Sequence, residues 1–257
     1  MINVAVCCKG VPKDVVLESV QVLKREIHLK NTNLFISEID AYALETAVFL
    51  KKTYGVNTVA LTVGPLRVQE VLYFALAKGI DKALRVDGGS FLPEISAWGL
   101  IPPLKEISPK LILVGVQSED WMGGEVGFYI AHALNMGWAN AVVKIGELNE
   151  NYVFVQKEIG AGKKAEIRLK LPAVLSIQSG IQPLRYVSTM RLRKARNLPV
   201  KLWGKVNIEQ IIETIPGMTS YEIDSVGLPE KKGYADMITG ERSQKVKKLI
   251  EIIGRSK

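Results

Sequence analysis

Leu111 to Val116 is an unbroken apolar run. A strand with one wet face alternates apolar and polar residues, so a run without alternation marks a strand covered on both sides, the usual condition of a parallel sheet. Residues 2–8, 58–63 and 83–86 read as further strands. Between them helical spacing recurs, first as Leu44, Ala47, Val48 and Leu50 within 38–54, then over 66–78 and 93–106. Gly55 and Gly79 stop the first two of these helices. Strands joined by helices of this length imply right-handed crossovers, a mostly parallel α/β sheet, and a ligand site at the carboxyl ends of the strands. Function is therefore expected in the loops after residues 8, 63 and 116.

Beyond residue 140 the pattern changes. Val142 to Leu148, Tyr152 to Ile159 and Ala165 to Lys170 read as successive strands, with Gly160 and Gly162 in a hairpin turn, and Val174 to Ile177 reads as one more sheet strand. From Gln182 to Lys205 periodicity is weak, as expected of an extended arm or loop, and a charged helix closes the chain over roughly Ser243 to Ile253. The expected division is a nucleotide-binding α/β domain over 1–182 and a basic loop with a C-terminal arm over 183–257.

Charge follows this division. Residues 1–150 hold 14 Lys+Arg against 16 Asp+Glu, while residues 151–257 hold 20 against 10. Arg185, Arg191, Arg193, Lys194, Arg196, Lys201 and Lys205 lie in one stretch without an acid, a candidate contact surface. With Tyr186 and Trp203 nearby, the stretch leaves a nucleic-acid contact open, although no nucleic-acid fold signature accompanies it.

The apolar runs are strand-sized, far short of the ~20 residues of a membrane span. The start, MINVAVCCKG, enters a strand without a preceding cationic segment, so no secretory leader is read and a cytoplasmic location is expected. Cys7 and Cys8 are neighbours on that strand, facing opposite sides and unsuited to a bridge. His28 and His132 belong to no Cys/His cluster with ligand spacing, so no metal site is expected.

The segment VGVQSEDWMGGEVGFYIAHAL, residues 114–134, runs from the buried strand through Gly123 and Gly124 into a helix with Val126, Ile130 and Leu134 on its apolar face. Glycines admit a ligand close to the backbone, and free amides at a helix start favour an anion. An ordinary strand-to-helix turn would look the same. Glu119, Asp120 and Glu125 oppose a polyphosphate unless they point away or bind sugar hydroxyls, and Trp121 is placed to stack on a base or pack against a partner. In SEIDAYALETAV, residues 37–48, Ser37 and Asp40 suit helix capping, and Gly64-Pro65 in LTVGP reads as a turn. GAGKK, residues 160–164, lacks the spacing of a phosphate loop. No nucleophile constellation stands out, so catalysis by the chain's own side chains is not expected. An adenine-nucleotide hydrolase or transferase on the same scaffold remains an alternative, since fold does not fix function.

Together these segments resemble the beta subunit of electron transfer flavoproteins. The amino-terminal strand ending in Lys9 before Val11-Pro12, SEIDAYALETAV, LTVGP, ALAKGIDKALRV, VGVQSEDWMGGEVG, LKLPAVLSI and PLRY occur in the family's order and spacing over nearly the whole chain. The resemblance implies a Rossmann-like, adenine-nucleotide-binding sheet in a noncatalytic subunit of a heterodimer. The alpha subunit would hold the redox-active FAD, and this chain would hold AMP or, in electron-bifurcating members, a second FAD. Carried onto matching positions, the nucleotide would meet Cys7, Ser37 with Asp40 in the same helix entry, Val63, and Gln117, Ser118, Gly123, Gly124, Glu125 and Val126, largely through main-chain groups. The stretch 185–205 would meet redox-partner dehydrogenases. Ser37, Glu38 and Ile39 depart from the family's usual Asn-Pro-Phe, Trp121 and Met122 from small or acidic residues, and Thr189 and Met190 from leucine and proline.

Overall fold

A computed structural model describes residues 2–13, 20–23, 26–29, 33–88, 92–207, 210–211, 213 and 235–254. Two compact units part between Ser225 and Val226. In the first, β1 (Asn3–Cys7) is followed by β2 (Gly10–Pro12), β3 (Val20–Leu23), β4 (Glu26–Leu29) and β5 (Leu34–Ile36). Then come α1 (Glu38–Tyr54), β6 (Asn57–Val63), α2 (Gln69–Lys78), β7 (Lys82–Asp87), α3 (Pro93–Ile107), β8 (Leu111–Gly115) and α4 (Val126–Ala133). The unit continues with β9 (Gly137–Leu148), β10 (Tyr152–Glu158), β11 (Lys164–Lys170), β12 (Ala173–Ile177), α5 (Thr189–Ala195) and β13 (Lys201–Lys205).

Nine strands form one sheet in the order β11-β10-β9-β12-β8-β1-β6-β7-β13. Within this sheet each pair from β9 across to β13 is parallel, and β9, β10 and β11 pair antiparallel; β2 with β5 and β3 with β4 form two small antiparallel sheets. The apolar run that called for two covered faces has them. Alternate residues of β1, with Cys8 just beyond it, enter different cores: Val4, Val6 and Cys8 join Leu44, Leu50 and Leu72 of α1 and α2, whereas Ala5 and Cys7 join Ala97, Leu100 and Ile130 of α3 and α4. Cys7 and Cys8 thus face opposite sides and are both free. Leu111, Ile112 and Leu113 are wholly buried, each worth roughly 1.5–3 kcal/mol of burial.

Helix ends follow the local chemistry. Gly55 takes a left-handed conformation and donates to the Lys51 carbonyl, ending α1. The turn between β10 and β11 closes through Lys163 N–H to the Gly160 carbonyl, a hairpin as the glycines suggested. The region 182–205 differs from the extended arm or loop read from its weak periodicity. Ser188 caps α5 by accepting from the Arg191 N–H, and β13 pairs with β7 at the sheet edge. Both elements are short and charged. Edge strands commonly carry lysines, which hides the period-2 signal of a buried strand.

The second unit, described by itself, holds α6 (Arg242–Gly254).

Candidate functional site

Strand order places a topological switch at one point of the sheet. β1 connects through α1 to β6 on one side, while β8, on the other side of β1, connects through α4 to β9, which lies further out on that side beyond β12. A switch of this kind is where a doubly wound sheet is expected to open a crevice, here between the ends of β1 and β8, with β6 ending beside them. The three loops expected to carry function follow three adjacent strands.

Asp40 joins the two lips. Its Oδ2 accepts the Lys9 N–H at 2.7 Å and its Oδ1 the Gly115 N–H at 2.9 Å, so one carboxyl bridges the ends of β1 and β8. A Cβ on Gly115 would lie 2.5 Å from Asp40 Oδ1, so glycine is what admits the clamp. Burial pushes the Asp40 pKa up to about 7, against the pull of these two hydrogen bonds and the Lys9 ammonium. The capping role read from Ser37 and Asp40 is not what the structure shows. Asp40 is spent on the strand ends, and Ser37, at the N-cap position, makes no side-chain cap bond. Ser37 Oγ is buried without a hydrogen-bond partner among the described residues, and its N–H bonds to the Lys9 carbonyl at 3.0 Å, next to the end of β1.

The loop from Val116 to Glu125 rises from β8. Val116 N–H donates to the Ile177 carbonyl and Met122 N–H to the Ser118 carbonyl, both at 2.9 Å. Lys9 Nζ reaches across from the end of β1 to Asp120 Oδ1 at 2.8 Å and Ser118 Oγ at 3.3 Å, so one of the loop's acids is already neutralised. Gly124 has φ +69°, and a Cβ there would stand 2.6 Å from the Val116 carbonyl oxygen. α4 begins directly after, and its first-turn amides have no partner within the helix. At Gly127 a Cβ would come within 2.7 Å of Val114, so the absence of a side chain lets α4 lie close on β8.

The sequence-derived candidates collect here from four elements, but not all by their side chains. Cys7 is buried in the core under α3 and α4, where burial and the Asp40 charge push its thiol to about 12, so it offers a ligand its backbone rather than a thiolate. Val63 is half-buried at the end of β6, and Ser118, Gly124 and Val126 are half-buried along the loop. Gln117, Gly123 and Glu125 are exposed, as is Met122, while Trp121 is half-buried against the Gly123 side of the loop.

The basic stretch is less free than its composition suggests. Arg185 pairs with Glu45, Arg196 with Glu70 and Lys201 with Glu106. Arg191, Arg193 and Lys194 on α5 are exposed, among exposed apolar residues Leu184, Tyr186, Met190 and Leu202. Local reading did not anticipate the Glu45, Lys78 and Arg185 cluster, whose members lie 33 to 140 residues apart. Lys9 was legible only as part of a strand end.

Among the described residues no group of three or more His, Cys, Asp or Glu is placed to hold a metal, and no helix is long and apolar enough to cross a membrane.

Residues 27–203 match the model of the electron transfer flavoprotein domain. The chain is 32% identical over 232 residues to an electron transfer flavoprotein subunit beta of Methylophilus methylotrophus, covering 86% of each chain. It is 26% identical over 223 residues to that of Bacillus subtilis, covering 85% of each. The mitochondrial subunit beta of Arabidopsis thaliana is 25% identical over 201 residues, covering 75% of this chain and 79% of its own.

Proposed function

This chain belongs to the electron transfer flavoprotein family as a beta subunit, and from that premise we propose that its crevice holds an adenine nucleotide, AMP or a second FAD. In this reading it pairs with an FAD-bearing alpha subunit and carries electrons between dehydrogenases and an acceptor. The redox chemistry of the pair is that of flavin. This chain's residues bind, orient and dock.

The nucleotide reading is supported by the backbone and the buried hydroxyl that lie beside the expected crevice between β1 and β8. Gly124 brings backbone where any side chain would collide with the Val116 carbonyl, and the Ser37 hydroxyl is buried with no hydrogen-bond partner among the described residues. Both suit a ligand recognised by backbone groups and one hydroxyl. Gln117, Ser118, Gly123, Gly124, Glu125 and Val126 would line the phosphate side, with Val63 and the Cys7 backbone at the neighbouring strand ends. Asp40 would serve the site by fixing its lips.

Residues 183–257 are assigned to partners. Exposed Tyr186, Met190 and the α5 cations suit an acidic dehydrogenase face with an apolar centre. α6 exposes Val246, Leu249, Ile250 and Ile253, which recur at helical spacing as a face for the alpha subunit.

The test is to release the small molecules from the native heterodimer and identify them by absorbance and mass. One FAD with one AMP per pair is expected of simple transfer, and two FAD of bifurcation. One FAD with no second adenine nucleotide overturns the proposal.

A further inference from the structure

Glu45, on α1, and Lys78, the last residue of α2, are a buried ion pair, with side chains only 3% and 2% exposed. Burial pushes the Glu45 carboxyl up, but hydrogen bonds from Lys78 and Arg185 outweigh it and leave the group below the usual carboxylate range. Withdrawing two ions from water commonly costs as much as their attraction returns, and an apolar pair of similar volume is often as stable. Stability alone is therefore a weak reason for this pair.

Its geometry shows another use. Arg185 lies in the irregular segment between β12 and α5. Its backbone N–H donates to Glu45 Oε1 at 3.0 Å, and its backbone carbonyl accepts from Lys78 Nζ at 2.9 Å. The guanidinium adds Nε to Glu45 Oε2 at 2.7 Å and Nη2 to the Lys78 carbonyl at 3.2 Å. One loop residue is thus gripped by its main chain, in both directions, and by its side chain. On either side of it stand exposed Leu184 and Tyr186, the latter 83% exposed, followed by Met190 on α5.

We propose that Glu45 and Lys78 are positioning residues, a latch that holds the main chain at Arg185 and thereby sets the exposed surface formed by Leu184, Tyr186 and Met190. That this surface receives a protein partner rests on the docking reading given above. α1 then carries both the clamp of the crevice, at Asp40, and the latch of the docking segment, at Glu45.

The test compares hydrogen exchange in the assembled heterodimer for the wild-type chain and for E45L/K78M, which replaces the ions by apolar side chains. The amides from Arg185 to Thr189 are expected to exchange at least about tenfold faster, with β1 and β8 unchanged and the thermal midpoint equal or higher. Unchanged exchange at Arg185, or a lowered midpoint with exchange raised throughout the sheet, overturns the latch. R185K keeps the backbone grip and is expected to stay within about threefold of wild type, and a loss as large as that of the double variant overturns a main-chain latch. Should E45L/K78M not assemble, K78M alone removes the hold on the carbonyl together with the ammonium partner of Glu45, while Arg185 N–H and Nε still bond Glu45; it is expected to speed the same amides about threefold, and no change overturns the proposal. Exchange in the heterodimer needs no dehydrogenase, so transfer from dehydrogenases that ignores charge reversal on α5 would refute the docking reading alone.

Discussion

Asp40 gives this chain a pH dependence that can be isolated. Its carboxyl is buried, accepts two backbone N–H groups, and titrates near 7 instead of 3.8, because burial outweighs the hydrogen bonds and the Lys9 charge. In the unfolded chain the proton leaves near the ordinary value. Between the two values the native state keeps a proton that the unfolded state has lost, so stability falls as pH rises. One pH unit is worth about 1.4 kcal/mol, and a shift of about three units therefore removes roughly 4 kcal/mol between about pH 4 and pH 7, with no further loss above. Asp40→Asn supplies a reference that does not titrate. The quantity to measure is the unfolding free energy of wild type minus that of the variant, from urea titrations of the heterodimer at fixed protein and nucleotide concentration. Titrations common to both proteins cancel in the difference. The difference is expected to move against the wild type by several kcal/mol from about pH 4 to 7 and then level off. A flat difference, or one that favours the wild type as pH rises, would refute the reasoning, because the backbone hydrogen bonds would then outweigh burial.

Three further outcomes follow from the same geometry. Gly124→Ala places a Cβ 2.6 Å from the Val116 carbonyl at φ +69°; a left-handed backbone alone costs about 1–2 kcal/mol, and on the proposed reading the variant should hold less adenine nucleotide than wild type, as read by mass after denaturation. Leu113→Ala, at a wholly buried site in β8, should destabilise by about 2–5 kcal/mol in denaturant titration, and a cost below about 1 kcal/mol would contradict the packing described. Reversal of the exposed Arg191 and Arg193 to glutamate should slow transfer from an acidic dehydrogenase most at low ionic strength, and an effect independent of salt would argue against electrostatic docking.

The elements that were legible in the chain are those whose signal is local. The unalternating run at Leu111 called for a covered parallel strand, the glycines at 55 and 79 ended helices, and the pair at 160 and 162 turned a hairpin. Crossover logic then located the loops after β1, β6 and β8 at one end of adjacent strands. α5 and β13 escaped because short charged elements at an edge have too few buried positions to show a period. Ser37 and Asp40 looked like caps because both residue types cap helices, and nothing nearby in the chain records that Gly115 would stand within reach of the Asp40 carboxyl.

The sequence by itself determined the class of sheet, the helices that cover it and the loops at its open end, since periodicity and turn chemistry act over a dozen residues. Only the tertiary structure decided what the charged groups do: Asp40 against Lys9 and Gly115, Lys9 against Asp120, and Glu45 with Lys78 against Arg185. These partners are 31 to 140 residues apart, and only folding brings them into the low-dielectric contact that assigns each its role.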